Sequence, residues 1–142
     1  MAATTSHWMI DTSAFSRLVA EQAADTELWS SRIQRGVVRL LFTTRLEIGI
    51  IAKNGRARSR MLSIPPISLM PMDYLTPNIE KRADEVQTLL ADKGQHRGPS
   101  VHDMLLAAAA EMLGHTVLHA DKHFDLIAQV TGQPVQRLEL TA

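Results

Sequence analysis

Twice in this chain a short apolar run stops abruptly at an aspartate. Trp8-Met9-Ile10 leads into Asp11, and Val117-Leu118-His119-Ala120 leads into Asp121. Runs this short, the second preceded by Gly114 and both followed by polar residues, read as strands buried in a parallel sheet. In open α/β sheets the ligand crevice lies just beyond the carboxyl ends of such strands. The pattern therefore predicts a sheet that delivers Asp11 and Asp121 to its functional edge.

The remaining pattern alternates strand and helix. Residues 7–10 read as the first strand, and Asp11-Thr12-Ser13 offers caps for a helix over 14–20. Leu28 and Ile33, with Trp29 and Arg32 between them, suggest a second helix stopped by Gly36. Residues 37–43 read as a second strand. A helix over 44–52 follows, apolar nearly all round (Leu46, Ile48, Ile50, Ile51), and is expected to be buried on most sides, with Glu47 its one acid. Lys53, Arg56, Arg58 and Arg60 form a basic cluster. Its plainest reading is a helix end and its solvated continuation; a phosphate-binding surface is the sharper one. Pro65-Pro66 breaks the chain before a weak third strand over 67–72. Thr76-Pro77 starts a helix reaching about Lys93, residues 100–113 form a helix with an alanine-rich centre, and a short helix through Phe124, Ile127 and Ala128 closes at Gly132. A last strand covers 135–140. The expectation is one domain over 1–142, built on a parallel, helix-covered sheet of five strands.

Composition narrows the function classes. Fifteen basic residues balance fifteen acidic ones, so any nucleic-acid contact has to come from a local patch and not from a global field. The absence of cysteine excludes disulfides, thiolate metal sites and a cysteine nucleophile. Residues 1–6 lack the features of a signal peptide, and no apolar run approaches the ~20 residues of a membrane span. A cytoplasmic protein with no membrane partner is expected.

Two further acids open helices. Thr44-x-x-Glu47 and Ser100-x-x-Asp103 both fit the capping-box pattern, in which the acid satisfies a free backbone N–H. Singly, each is more simply a cap. In a parallel sheet with right-handed crossovers, however, strand ends and the starts of following helices share one edge, so four carboxylates can converge there if the strands before Asp11 and Asp121 are neighbours. Two like charges ~4 Å apart repel by about 4 kcal/mol at an effective dielectric near 20. Either some carboxyls stay protonated or a cation holds them. Oxygen-only ligands select Mg²⁺ or Mn²⁺, whose usual chemistry is on phosphates.

The ordered set Asp11-Thr12-Ser13, Thr44-x-x-Glu47, Ser100-x-x-Asp103 with its alanine-rich helix, and His119-Ala-Asp121-Lys-His-Phe124-Asp125-x-Ile127-Ala128 resembles the PIN-domain ribonucleases, most closely the VapC toxins of prokaryotic toxin–antitoxin pairs. The resemblance covers nearly the whole chain. It implies a three-layer α/β/α sandwich and endonucleolytic cleavage of RNA dependent on Mg²⁺ or Mn²⁺. Asp11 and Asp103 become the principal metal ligands, Asp121 completes the site, and Glu47 ligates through water or orients the nucleophile. Thr12 and Ser13 match hydroxyl residues lining the site. A homodimer and a small cognate antitoxin covering the acidic pocket are implied as partners. One departure stands out: many members carry a further acid where this chain has His123, with Asp125 the nearest acid beyond. That puts a second metal position in question and leaves His123 and Asp125 as candidate substrate contacts.

Two other readings compete. His115, His119 and His123 recur every four residues, and along a strand His119, Asp121 and His123 share a face, as a zinc hydrolase would need. An inactive binding module of the same fold is the other.

Overall fold

The computed structural model describes residues 6–142. In chain order the elements are β1 (Trp8–Ile10), α1 (Thr12–Val19), α2 (Thr26–Gln34), β2 (Val38–Leu41), α3 (Phe42–Gly49), α4 (Gly55–Ser63), a 3-10 turn (Ile67–Leu69), β3 (Met72–Asp73), α5 (Pro77–Asp92), α6 (Val101–Leu113), β4 (Thr116–His119), α7 (Lys122–Thr131) and β5 (Val135–Arg137). The strands form one sheet in the order β3-β2-β1-β4-β5, and every pairing is parallel. This is the expected α/β/α sandwich.

Strand alternation divides the core in two. Met9, Leu41 and Val117 point to one face, where α5, α6 and α7 pack through Val86, Leu90, Leu106 and Phe124. Ile10, Leu40 and Leu118 point to the other, against Phe15 of α1, Trp29 and Ile33 of α2, Ile48 of α3 and Leu62 of α4. The four alanines at 107–110 of α6 are fully buried; small side chains there let the helix lie close to the sheet and to α5. The helices start and stop where the sequence signals them. Thr76 caps α5 by accepting from the Ile79 N–H, Ser100 and Asp103 form a complete capping box on α6, and Gly114 and Gly132 end α6 and α7 in the left-handed conformation.

Several expectations are corrected. Residues 42 and 43, read as strand, instead begin α3. Strand β1 stops at Ile10 and β3 at Asp73, opposite Leu41, so a longer β2 would have no parallel neighbour. The helix thus starts earlier than predicted, its N-cap is Leu41, and Thr44 caps nothing. The third strand shrinks to two residues paired with Leu40 and Leu41, because residues 67–69 wind into the 3-10 turn. The basic cluster at 53–60 is no helix end: Asn54 accepts from the Ala57 N–H and starts α4. The last strand ends at Arg137, and Leu140 makes an isolated antiparallel bridge with Ala23. Nor is α3 buried all round. Phe42, Leu46 and Ile50 are spaced by four, lie on its outer face and are 40%, 45% and 81% exposed, with Tyr74 stacked on Phe42. No helix among the described residues is long and apolar enough to cross a membrane.

Candidate active site

Strands β1 and β4 lie side by side at the point where the strand order reverses, the position at which doubly wound sheets open a crevice. A hydroxyl ties their ends together. Ser13 Oγ donates to Asp11 Oδ2 at 2.7 Å and accepts from the Ala120 N–H at 2.9 Å. The Asp11 N–H donates to the Leu118 carbonyl, which fixes the Asp11 turn against β4.

Three of the four acids are held at helix N-termini. Asp11 caps α1, its Oδ2 accepting from the Ser13 N–H. Asp121 caps α7, its Oδ1 accepting from the His123 N–H. In the first turn of α6, Asp103 Oδ2 accepts from the Ser100 N–H at 2.9 Å. The positive ends of three helix dipoles therefore offset part of the acids' mutual repulsion. Glu47 comes from the second turn of α3, with its side chain 41% exposed.

The acids form two groups, each with an imidazole. Ligand atoms of Asp11, Glu47 and His102 lie within 4.8 Å of one another, as do those of Asp103, Asp121 and His123. His102 Nδ1 stands 3.4 Å from Glu47 Oε2 and 4.0 Å from Asp11 Oδ1; His123 Nδ1 stands 3.3 Å from Asp121 Oδ1 and 3.6 Å from Asp103 Oδ2. Asp103 joins the groups electrostatically. Burial pushes its carboxyl up, the Ser100 hydrogen bonds hold it down, and the Asp11 and Asp121 charges push it up further.

Other predicted residues stand elsewhere or act differently. Asp125 turns away from the pocket, pairing with Arg137 and facing His119 Nε2. His119 is fully buried, with Nδ1 accepting from the Asp121 N–H. The His119–Asp121–His123 zinc group therefore does not form: β4 ends at His119, so strand alternation no longer governs the three side chains, and the third partner of Asp121 and His123 is Asp103. His115 is remote from both, stacked on His7 and 3.6 Å from Asp73. Thr12 Oγ1 is enclosed without a hydrogen-bond partner among the described residues. Local sequence pattern does not single out His102, nor Thr44 in its observed role, its buried hydroxyl lying 3.1 Å from His102 Nε2. The signal available for His102 was its place beside Asp103 at a helix start.

The donor set fits a hard divalent cation. The Asp103 carboxyl, raised first by burial and further by the Asp11 and Asp121 charges, is one that such an ion would stabilise in its charged form. Ligands on opposite sides of an ion with ~2.1 Å bonds stand about 4.2 Å apart, so groups spanning 4.8 Å need only small side-chain adjustments.

No family model matches the chain. Ribonuclease VapC2 of Mycobacterium tuberculosis is 55% identical over 135 residues, covering 95% of this chain and 94% of the relative. The chain belongs to the VapC ribonuclease family. Ribonuclease VapC51 of the same species is 37% identical over 131 residues, covering 91% and 90% of the two chains. Among solved structures, VapBC2 from Rickettsia felis bound to a DNA fragment from their promoter superposes with a TM-score of 0.76 over 93% of this chain and 98% of that one. Identity there is 13%, so that likeness speaks for the fold alone.

Proposed function

We propose that this chain is a divalent-metal-dependent endoribonuclease acting as the toxin of a type II toxin–antitoxin pair. The observation that carries the reading is the gathering of Asp11, Glu47, Asp103 and Asp121 at the β1/β4 switch point, with Asp103 raised by burial and by its neighbours' charge. The named activity of the relatives supports the substrate class.

Asp11 on one side of the pocket and Asp103 with Asp121 on the other would hold Mg²⁺ or Mn²⁺. When bound, that ion supplies charge neutralisation at the phosphate and a water acidified toward neutral pH. The chain's own groups do the rest. Glu47, on the open side, would ligate through water or orient the attacking water. Thr12, the first residue of α1 beside Asp11, would donate its hydroxyl to the substrate phosphate once a side-chain rotation exposes it, since its Oγ1 is enclosed and has no partner among the described residues. Ser13 Oγ is already committed to Asp11 and Ala120, so its part is to hold the two strand ends in register.

Two apolar surfaces suit the partners. The stripe Phe42, Leu46, Ile50 with Tyr74 borders Glu47 along α3 and suits a second copy of the chain. Clefts between α1, α2 and α4, sharing Val19, Pro65 and Pro66, suit an apolar segment of an antitoxin.

Incubating the purified chain with total RNA, with Mn²⁺ or with chelator, and mapping the 5′ ends tests the activity. Discrete cleavage that needs the ion and is abolished in Asp11→Asn is expected. Equal cleavage in chelator, or by Asp11→Asn, would remove the mechanism.

A further inference from the structure

The two imidazoles are placed as ligands would be. Each ring nitrogen stands 3.3–4.0 Å from two carboxylate oxygens, beyond the usual 2.7–3.2 Å of a hydrogen bond to nitrogen. Each is gathered with its acids without being bonded to either, a spacing that a shared ion would close. Behind His102, the buried Thr44 hydroxyl lies 3.1 Å from Nε2. In the tautomer that donates Nε2–H to Thr44, the lone pair of Nδ1 faces Asp11 and Glu47. Metal-binding histidines are ordinarily oriented in this way by a second partner on the far nitrogen. The buried Thr44 hydroxyl does not cap α3, and among the described residues its hydrogen-bond contact is with His102.

We infer that the pocket is a mixed nitrogen–oxygen centre with two cation positions, His102 Nδ1 joining Asp11 and Glu47 at one, and His123 Nδ1 joining Asp103 and Asp121 at the other. His123 then restores, with a different donor, the second position that a missing acid put in question. Imidazole nitrogen shifts selectivity from Mg²⁺, which prefers oxygen and keeps its waters, toward transition ions. The centre accordingly takes Mn²⁺ in preference to Mg²⁺. This rests on the metal-dependent reading of the pocket.

The test is spectroscopic and calorimetric, on the intact chain. Electron spin-echo modulation of bound Mn²⁺ reports directly coordinated nitrogen, and titration calorimetry gives the Mn²⁺ and Mg²⁺ affinities. Wild type should show imidazole nitrogen coupling and bind Mn²⁺ more tightly than Mg²⁺ by about tenfold or more. His102→Gln with His123→Gln should lose the coupling and most of that preference. Thr44→Val, which keeps the ring and only frees it, should weaken Mn²⁺ binding by about tenfold. Mn²⁺ bound without nitrogen coupling in wild type, or an unchanged preference in the double variant, overturns the mixed centre while leaving a carboxylate metal site standing. Failure of wild type to bind either ion overturns both.

Discussion

Replacing Asp103 by asparagine separates two roles that its position combines. As a member of the capping box it accepts from the Ser100 N–H, which an asparagine oxygen can also do. As a buried charge it faces Asp121, with ligand oxygens no more than 4.8 Å apart. At that distance two unit charges repel by about 3.5 kcal/mol at an effective dielectric near 20. Asp121 is 34% exposed, so water screens the pair and about 1–2 kcal/mol of net repulsion remains. In chelator, Asp103→Asn should therefore be more stable than wild type, with a melting temperature raised by roughly 3–6 °C. With Mn²⁺ the order should reverse, because wild type gains about 2.7 kcal/mol at a hundred times the dissociation constant and the variant gains far less. The pH dependence has a definite sign. Asp103 is raised in the folded chain, so its contribution is fully present below the ordinary carboxylate range and is lost as pH rises through its higher folded value. Metal-free wild type should lose stability across that window, and the variant should lack that component. Thermal unfolding by circular dichroism, in chelator and in Mn²⁺, reads all three effects. A variant that melts below wild type in chelator would show that Asp103 serves as a cap alone and that the acids do not crowd one another.

Other changes probe separate parts of the molecule. Ser13→Ala removes the clasp between Asp11 and Ala120 and should cost about 1–3 kcal/mol by denaturant titration, with a larger relative loss of cleavage than of stability. Ile50→Lys places charge on the 81% exposed end of the α3 stripe; it should leave the monomer's melting temperature within a few degrees and shift sedimentation from dimer to monomer. Ala109→Leu forces a large side chain into a fully buried position of α6 and should destabilise by about 1–3 kcal/mol, read by the same unfolding titration.

The sheet was legible because its strands are short apolar runs with abrupt polar ends, and the helix starts because Thr76-Pro77 and Ser100-x-x-Asp103 are local signals that the fold left intact. Errors arose where a neighbour decides the outcome. Residues 42 and 43 have strand character, yet neither β1 nor β3 runs on far enough to pair with them. The apolar residues of α3 were read as buried because periodicity records which side chains are greasy and not whether anything covers them. His119 and Asp125 belong to a promising run, but Asp125 pairs with Arg137 and stands 3.5 Å from the ring of the fully buried His119, away from the pocket. His102 and Thr44 are 58 positions apart in sequence, and no local pattern announces a contact of that kind.

Three acids of the pocket double as helix caps, and this ties the activity loosely to the architecture. A cap needs only an acceptor atom, whereas a cation needs charge. Asparagine supplies the first without the second, so on the proposed mechanism a single-base change at any of the three aspartate codons should silence the chain and leave its scaffold standing. Relatives of this chain that carry asparagine at one of the three positions should be well folded and inactive, told apart from their active kin by one amide.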